Sequence, residues 1–359
     1  MHKQTIQTST NQYDVYVGPG VLSRMTEYLP DHYHSILVIT DSVVYPLYGK
    51  ALVTELTKSA EVFVSVVPSG EASKSIEQYY QLLTDAIEHQ LDRKSLIVAL
   101  GGGMIGDLAG FAAATYMRGI DFIQVPTTIL AHDSSVGGKV AINHPEGKNL
   151  IGNFYPPQAV LYDTDTLTSL PASEVRSGYA EVIKHGFIGD ASLLDDVLHT
   201  DLTQPIEEER LADHLQKGIA IKADIVEADE KEANVRKHLN FGHTLGHAIE
   251  SELGYGAITH GEAVAIGMQF ALLLSEAQSD IDLSSHAFAK WMADNHYPIH
   301  DVGPLSPERL LQRMKKDKKS ENATVQMVLL QEIGHPYVKN IADEQLLGLL
   351  EKFIRELDG

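Results

Sequence analysis

The sequence predicts an N-terminal α/β domain followed by a mainly α-helical domain. In the first half of the chain, short β-rich runs alternate with helical stretches, which is typical of βαβ units and a parallel sheet. From about Ser173 onward helical windows dominate, and only residues 325–330 carry a clear strand signal. Because Ser173 is a suitable N-cap for the first of these helices, we place the domain boundary at Pro171, which gives domains of residues 1–171 and 172–359.

Each predicted element follows from the spacing of its apolar residues. Strands are assigned to short runs rich in β-branched and aromatic residues, and helices to windows with apolar residues three and four positions apart. In the first domain, the predicted strands cover 13–17, 36–40, 62–67, 96–100, 122–125 and 158–163, and the predicted helices cover 43–56 and 76–89. In the second domain, the predicted helices cover 174–187, 206–227, 242–253, 262–275 and 342–357.

The composition limits the class of protein. The 359 residues are 43% apolar, which is enough to bury the cores of about two domains without cross-links. The chain has no cysteine, so disulfides, thiolate metal sites and a thiol nucleophile are excluded, and any metal ligand must be His, Asp or Glu. The 28 basic and 49 acidic residues give a net charge of −21, which disfavours nucleic acid and anionic membranes as partners. The N-terminus lacks an apolar signal core and residues 95–117 are too broken for a membrane span, so we expect a cytoplasmic protein.

A glycine-rich turn follows the predicted strand at residues 96–100. Gly101, Gly103 and Gly106 form the pattern G-x-G-x-x-G ahead of a helical run. Glycines allow a tight turn and a close approach of the backbone to a pyrophosphate, to which the following helix presents free N–H groups. We interpret the turn as a dinucleotide site, and a plain strand-to-helix turn is the alternative. Asp41, at the end of the second predicted strand, is a candidate to bind a ribose hydroxyl, or else a helix cap.

Two lysines lie in further glycine-rich stretches. Lys139 follows Gly137 and Gly138, and Lys148 follows Gly147. Small neighbouring residues allow an ammonium group to reach a bound phosphate, so we interpret both lysines as anion contacts. Surface turns that bind no ligand are the alternative.

Histidines and a carboxylate in the second half of the chain are candidates for a metal site. His243 and His247 are four residues apart and therefore share one face of a predicted helix. The glutamate of the H-E-x-x-H pattern is absent, which excludes a zinc metalloprotease of that type. His260 lies at the start of the next helix, and Glu181 lies on the helix 174–187. Two histidines and a carboxylate with an open position suit a catalytic divalent ion, and satisfied helix residues are the alternative.

Taken together, these stretches resemble the 3-dehydroquinate synthase family. The motifs follow one another from residue 101 to residue 319: GGGMIGDLAG (101–110), YMRG (116–119), PTTILAHDSSVGGKVAIN (126–143), GKNLIG (147–152), SGYAEVIKHG (177–186), LNFGHTLGHAIE (239–250), HGEAVAIGM (260–268) and DKK (317–319). The resemblance implies the fold of that family, in which a Rossmann-like nucleotide-binding α/β domain precedes a mainly α-helical domain that binds metal and substrate.

The resemblance also implies which residues bind each ligand. It implies NAD as the cofactor, bound by Asp41, Ser69, Gly70, Glu71, Ala72, Ser73, Lys74, Gly103, Met104, Ile105, Gly106, Asp107, Thr127, Thr128, Lys139, Lys148, Thr166, Leu167, Thr168 and Ser169. It implies one divalent metal, Zn²⁺ or Co²⁺, bound by Glu181, His243 and His260. It implies substrate contacts from Asp133, Lys139, Lys148, Asn149, Lys184, Lys222, Arg236, Asn240, His247, His260 and Lys318, of which Lys139, Lys184, Arg236, Asn240 and His247 are the expected catalytic residues.

The activity that the resemblance implies is the conversion of 3-deoxy-D-arabino-heptulosonate 7-phosphate into 3-dehydroquinate and phosphate, in the shikimate route to aromatic amino acids. The implied steps are transient oxidation of the C5 hydroxyl by NAD⁺, elimination of phosphate, return of the hydride and closure of the carbocycle by an internal aldol reaction. A homodimer is implied as well. The alternatives are another sugar phosphate cyclase, a metal-dependent NAD polyol dehydrogenase and a catalytically silent NAD-binding regulator.

Overall fold

The protein folds into two compact units in its computed structural model. Unit 1 comprises Met1–Leu170 and Glu208–Glu230, and unit 2 comprises Pro171–Glu207 and Lys231–Gly359. The structure describes residues 1–8, 11–29, 33–232, 234–254, 256–279, 281–316 and 324–357.

Unit 1 is built on a β-sheet and a separate β-hairpin. Its strands are β1 (His2–Gln7), β2 (Gln12–Gly18), β3 (Ser35–Asp41), β4 (Glu61–Val67), β5 (Leu96–Gly101), β6 (Asp121–Pro126), β7 (Lys139–His144), β8 (Gly147–Phe154) and β9 (Ala159–Asp163). Among the described residues, seven strands form the sheet in the order β1-β2-β9-β6-β5-β3-β4. Neighbouring strands are parallel apart from the antiparallel pair β1–β2. The strands β7 and β8 pair with each other as an antiparallel hairpin.

The central strands of the sheet are buried on both faces, which explains their continuous apolar runs. In β3, Leu37 and Ile39 pack into the core on one face, and Ile36 and Val38 pack into the core on the other. Every strand predicted for this domain has a counterpart in the structure, whereas β1, β7 and β8 have no predicted counterpart. The strands β1 and β8 are largely exposed and lack the apolar runs of buried strands, whereas β7 has only a short buried run, residues 140–142, that packs into the core.

The carboxyl ends of β3 and β5 form a topological switch point. β3 pairs with β4 on one side and with β5 on the other, so the connections that follow β3 and β5 run in opposite directions. Open parallel sheets bind ligands in the crevice at such a point. Asp41 is the last residue of β3 and Gly101 is the last residue of β5. Both sequence candidates for a dinucleotide site therefore lie at the switch point.

Helices flank the sheet of unit 1 and make up most of unit 2. In chain order they are α1 (Lys50–Leu56), α2 (Ile76–Glu88), α3 (Gly103–Thr115), α4 (Ala131–Ser134), α5 (Ala172–Gly189), α6 (Ala191–Leu198), α7 (Glu208–Ala228), α8 (His243–Leu253), α9 (His260–Ser279), α10 (Ser285–Asp294), α11 (Pro307–Lys316) and α12 (Asp343–Leu357). The predicted cap of α5 by Ser173 is wrong, because Pro171 occupies the N-cap position with extended backbone and Ser173 lies inside the first turn. None of the described helices is long and apolar enough to cross a membrane.

The helix α7 belongs to unit 1, although the predicted boundary at Pro171 assigns it to the second domain. Its buried residues Leu211, Leu215 and Ile219 recur every four positions and therefore form one apolar face. This helix packs against β1, β2 and α4 of unit 1. The chain thus leaves unit 1 and returns to it for a single helix, which the order of the elements along the sequence does not reveal.

The core of unit 2 is centred on α9. This helix packs against α5, α8, α10 and the strand β10 (Val325–Leu330), and its residues 261–272 are buried on all sides. Apolar residues occur on every face of this stretch, as expected for an enclosed helix. The strand β10 matches the strand signal predicted from the sequence, and it pairs antiparallel with β11 (Pro336–Ile341), which has no predicted counterpart.

Candidate active site

Glycines bring the backbones of α8 and α9 close together. A Cβ atom on Gly267 would lie 2.0 Å from the carbonyl oxygen of Gly242, and one on Gly246 would lie 3.0 Å from the Cα atom of Val264. Gly242, at the N-cap position of α8, also has a φ of +82°, which other residues adopt only with strain. Because no side chain separates the two helices here, the rings of His243 and His260 lie with their centroids 5.4 Å apart.

Substitution of Gly267 by alanine is expected to lower the free energy of unfolding by about 3 kcal/mol, because the added methyl group collides with backbone atoms. Urea unfolding of the metal-free protein measures this loss. The matched control is Gly348→Ala in α12, where the added methyl group meets no atom within 4 Å beyond its chain neighbours and the backbone of its own helix. The control should raise stability by about 0.5–1 kcal/mol, since alanine favours a helix over glycine. Equal effects of the two substitutions would contradict the close packing of α8 on α9.

A capping box holds the start of α9. The Glu262 carboxylate accepts hydrogen bonds from the backbone N–H of Thr259 at 3.0 Å and from its hydroxyl at 2.8 Å. In return the Glu262 N–H lies 3.4 Å from the Thr259 hydroxyl, which completes the reciprocal pattern. The other Glu262 oxygen accepts a hydrogen bond of 2.8 Å from Arg176 of α5. These contacts orient His260, the first residue of α9, relative to α5.

Glu181, His243 and His260 form a group suited to a metal ion. One ligand atom of each residue lies within 4.8 Å of the others. The His243 Nε2 atom is 3.6 Å from Glu181 Oε1, and the His260 Nε2 atom is 3.9 Å from the same oxygen. Glu181 is only 2% exposed, and Lys184 pairs with its other carboxylate oxygen. A carboxylate oxygen and two imidazole nitrogens are donors that Zn²⁺ and similar divalent ions accept, and three protein ligands leave a coordination position open.

Glu250 orients one of these ligands and was not among the residues predicted from the sequence. Its Oε2 atom lies 2.9 Å from His260 Nδ1, so the opposite ring nitrogen faces Glu181. Metal-binding histidines usually donate their second N–H group to a carboxylate or carbonyl in this way. For His243, the corresponding acceptor is the backbone carbonyl of Phe241, which lies 3.2 Å from Nδ1. A signal was present in the sequence, because Glu250 lies seven residues after His243 and thus two helical turns further on the same face.

Replacement of Glu250 by alanine is expected to weaken Zn²⁺ binding by about 10- to 100-fold, because the His260 ring loses the acceptor that orients it. The affinity is measured by competition with a chromophoric chelator, without substrate. Glu250→Gln is the matched control, since its amide oxygen still accepts from Nδ1–H and most of the affinity should be retained. An unchanged Zn²⁺ affinity in Glu250→Ala would show that this contact does not position the ligand.

His247 lies beside the same group. Its ring centroid is 5.4 Å from that of His243 and 5.7 Å from that of His260. His247, Glu250 and His260 also offer ligand atoms within 4.8 Å of one another. Because Glu250 already accepts from His260 Nδ1, the group that contains Glu181 is the better metal site, and His247 is a neighbour of that site.

The remaining predicted substrate residues of unit 2 are largely buried. Lys184 is 1% exposed and Arg236 is 2% exposed. Arg236 and Asn240 lie in a 3-10 turn, Val235–Asn240, that packs against α5. The Asn240 side chain donates to Glu232 Oε1 at 3.1 Å and to the Lys237 carbonyl at 3.0 Å. Lys318 lies outside the described residues.

In unit 1, two of the predicted substrate residues form an ion pair. The Lys222 Nζ atom lies 2.7 Å from Asp133 Oδ2, and the same ammonium donates to the Asp133 backbone carbonyl. Asp133 lies on α4 and the buried Lys222 on α7, so this pair helps to hold α7 in unit 1. Lys139, at the start of β7, is exposed, and Lys148 lies near the start of β8.

One ammonium group in unit 1 links residues predicted to bind different ligands. Lys74, a predicted cofactor contact, donates hydrogen bonds to the side chains of Asp107 and Asn149. Burial raises the pKa of the Asp107 carboxyl, and the Lys74 ammonium opposes that rise. Asn149, a predicted substrate contact, therefore lies within hydrogen-bonding distance of the predicted cofactor residues.

The glycine-rich turn leads directly into α3, which begins at Gly103. Gly102 occupies the N-cap position, and no side chain caps the first turn of this helix. The Thr127 backbone N–H donates to the Gly101 carbonyl at 3.0 Å, and the buried Thr127 hydroxyl makes no hydrogen bond with the described residues. An uncapped helix start and an unsatisfied hydroxyl at a switch point fit a bound dinucleotide phosphate.

Two other predicted cofactor segments make local hydrogen bonds. The Asp41 Oδ1 atom accepts from the backbone N–H groups of Val43 at 2.8 Å and Val44 at 3.0 Å, so this oxygen caps the turn after β3. Thr164–Ser169 forms a 3-10 turn in which the side-chain hydroxyls of residues 166, 168 and 169 donate to backbone carbonyls. The predicted segment 69–74 includes a further 3-10 turn, Glu71–Ser73.

Comparison with known proteins identifies the family. Residues 64–177 match the model of the 3-dehydroquinate synthase N-terminal domain, and residues 178–320 match that of the C-terminal domain. The chain is 48% identical over 358 residues to a 3-dehydroquinate synthase of Oceanobacillus iheyensis, covering 100% of this chain and 99% of the relative. It is 52% identical over 358 residues to that of Bacillus mycoides, covering 98% of both.

Solved structures agree with this result and confirm the predicted fold class. A 2-deoxy-scyllo-inosose synthase complexed with carbaglucose-6-phosphate, NAD⁺ and Co²⁺ has a TM-score of 0.87 at 28% identity, covering 99% of this chain and 100% of that one. A 2-epi-5-epi-valiolone synthase from Streptomyces hygroscopicus, with NAD⁺ and Zn²⁺ bound, shares the fold with a TM-score of 0.87 at 24% identity, covering 98% of this chain and 99% of that one. The motifs, the two matched domain models and the full-length relatives agree, and the chain belongs to the 3-dehydroquinate synthase family.

Proposed function

We propose that the chain converts 3-deoxy-D-arabino-heptulosonate 7-phosphate into 3-dehydroquinate and phosphate, and so acts as a phosphorus–oxygen lyase of the shikimate route. The observation that carries this proposal is the group Glu181, His243 and His260 beside the buried Lys184. This group occurs in a chain that is about half identical, over its full length, to known 3-dehydroquinate synthases.

We propose NAD and one divalent metal as cofactors. The switch point with its glycine-rich turn supports NAD, and the two imidazoles and one carboxylate support Zn²⁺ or Co²⁺. The similar inosose synthase has been solved with NAD⁺ and Co²⁺, and the valiolone synthase with NAD⁺ and Zn²⁺. When bound, NAD⁺ supplies hydride transfer and the divalent ion supplies Lewis acidity at the reacting alcohol.

The basic residues of the chain bind and orient an anionic substrate. The substrate carries a carboxylate and a phosphate, whereas the chain carries a net charge of −21, so its negative charge must be balanced locally. In unit 2 we assign this role to Lys184 and Arg236, and in unit 1 to Lys139, Lys148 and Lys222. Each charge-assisted hydrogen bond to such a ligand is worth roughly 1.5–3 kcal/mol. The same contacts hold the reacting groups of the substrate in the required orientation, which lowers the entropic part of the activation barrier.

We assign proton transfer to His247, with orientation of the neighbouring metal site as its second role. Its ring lies next to those of His243 and His260, but His247 is not a member of the group that contains Glu181. Histidine is the side chain that most often serves as a general acid or base when it lies within reach of the reacting group.

The test of this function is a direct assay. The protein is incubated with the heptulosonate phosphate, NAD⁺ and Zn²⁺, and we expect inorganic phosphate and the carbocyclic product to appear in equal amounts. Glucose 6-phosphate serves as the comparison substrate. Turnover of glucose 6-phosphate alone would indicate another sugar phosphate cyclase, and net oxidation of a polyol with accumulation of NADH would indicate a dehydrogenase. No turnover of any of these compounds would indicate the NAD-binding regulator.

We also propose that the chain forms a homodimer. On α2, Ile76, Tyr80 and Ile87 are exposed, and on β8 so are Leu150 and Phe154. Exposed large apolar side chains in unit 1 suit a surface that is covered by a second copy. Sedimentation equilibrium is expected to give twice the mass of the chain, and the mass of a single chain at micromolar concentration would contradict the proposal.

A further inference from the structure

Asn143 ties two segments of unit 1 together. Its side-chain Nδ2 atom donates to Glu71 Oε1 at 2.8 Å, and its Oδ1 atom accepts from the backbone N–H of Asn149 at 2.9 Å. Its own backbone N–H donates to the Lys74 carbonyl at 2.7 Å. The side chain of Lys74 in turn donates to Asn149. One residue therefore connects the segment that contains Glu71 and Lys74 to the start of β8.

The backbone around Asn143 departs from a regular hairpin. Ile142 pairs with Ile151 but His144 pairs with Gly147, so the register of β7 and β8 shifts at Asn143. A bulge of this kind re-aims a side chain, and bulges occur frequently next to active sites. Asn149 also has a φ of +55°, in the left-handed region. The extra residues of this register shift lie on β8, at 148–150, and across the shift the amide of Asn143 contacts both Glu71 and Asn149.

We propose that Asn143 is a positioning residue that couples binding of the cofactor at Glu71 and Lys74 to the placement of Lys148 and Asn149 for the sugar phosphate. This inference rests on the proposed function, which assigns the first segment to NAD and the second to the substrate. The amide is suited to this role because it offers a donor to the Glu71 carboxylate and an acceptor to the Asn149 N–H. When a cofactor holds Glu71 in place, the shared amide holds the start of β8 in place as well. The two ligands then bind with a favourable coupling free energy.

The test exchanges donor and acceptor between Asn143 and Glu71. Asn143→Asp puts a carboxylate against Glu71 and breaks that bond, while its oxygen still accepts from Asn149. Glu71→Gln keeps an oxygen that accepts from Asn143. The double variant Asn143→Asp with Glu71→Gln restores a bond, because the glutamine amide donates to the aspartate. This set of four proteins is a double-mutant cycle in which only one member lacks the contact.

The measurement is calorimetric binding of the heptulosonate phosphate with and without saturating NADH, which cannot accept a hydride, so no turnover occurs. We expect NADH to tighten sugar phosphate binding by about tenfold in the wild-type protein, and Glu71→Gln, which alters a predicted cofactor contact, is the reference with which the double variant is compared. The ratio of the two affinities should fall to about one in Asn143→Asp and return to within about threefold of the Glu71→Gln ratio in the double variant. A change of the ratio with rescue by the double variant is an effect that a merely structural residue would not show.

Two outcomes overturn the inference while leaving the proposed function intact: a ratio of one in the wild-type protein, or an unchanged ratio in Asn143→Asp. The proposed function itself fails if the wild-type protein binds neither NADH nor the sugar phosphate. Thermal unfolding of each variant checks that it is folded. If Asn143→Asp does not fold, Asn143→Ala takes its place, with an expected ratio of about one, and a wild-type ratio in that variant overturns the inference.

Discussion

Replacement of His243 by alanine is expected to remove the divalent ion and to lower kcat/KM by at least about a thousandfold, roughly 4 kcal/mol of transition-state stabilisation. The substitution deletes one of the three metal donors Glu181, His243 and His260, and the two that remain hold a divalent ion far less tightly. Elemental analysis of the purified variant gives the metal content, and the rate of phosphate release gives kcat/KM. Prolonged chelation of the wild-type protein should abolish turnover in the same way, and added Zn²⁺ or Co²⁺ should restore it.

The matched control is His247→Ala, one helical turn further along α8. His247 neighbours the metal group but is not a member of the group Glu181, His243 and His260, so this variant should keep most of its metal while losing rate. Full activity in wild-type protein shown by elemental analysis to be free of metal would refute the metal site. Loss of metal in His247→Ala together with its retention in His243→Ala would reassign the ligands.

Removal of NAD⁺ is expected to stop turnover completely, although the reaction consumes none of it. Two features of the chain motivate this prediction. The turn at Gly101–Gly103 and the switch point suit a dinucleotide, as in a dehydrogenase, whereas Lys184 and Arg236 suit a phosphorylated anion, which simple polyol oxidation does not need. A transient oxidation reconciles the two features, because a ketone next to the reacting carbon acidifies the C–H bond that is lost with phosphate. Returning the hydride leaves the cofactor unchanged.

The experiment follows phosphate, carbocyclic product and absorbance at the NADH band together. Phosphate and product should appear in equal amounts over many turnovers while the absorbance stays flat. Treatment with charcoal should remove NAD⁺ and stop the reaction, and a catalytic quantity of NAD⁺ should restart it. Stoichiometric accumulation of free NADH would contradict the prediction and favour the polyol dehydrogenase.

Local patterns in the sequence predicted many of the elements that position the candidate site. The predicted helices 174–187, 242–253 and 262–275 correspond to α5, α8 and α9, whose bounds differ from them by at most four residues. They were predictable because the spacing of apolar residues reflects which side of a helix is buried. The residue types at positions 181, 243 and 260 likewise indicated divalent-metal chemistry before any geometry was known.

Contacts between residues distant in sequence could not be predicted in this way. The helix α7 has an ordinary amphipathic pattern, and nothing in that pattern states that its apolar face packs against β1 and β2 of unit 1. Glu250 shares a helix face with His243, but its hydrogen bond to His260, ten residues away, appears only in the structure. Asn143 has no such signal in the sequence, and its role appears only in its bond to Glu71, at a separation of 72 residues.

The kinds of residue and their spacing along the chain thus predicted the fold class and the candidate metal ligands, and the resemblance of the motifs to those of a known family predicted the family. The orientation of those ligands came from the packing of the helices and strands. Glycines at 242 and 267 bring α8 and α9 close enough for His243 and His260 to face Glu181, and Glu250 then turns the His260 ring toward it. A hydrogen bond requires its two atoms to lie about 3 Å apart. For residues far apart in sequence, that separation is set by the tertiary packing of whole elements, which local sequence patterns do not contain.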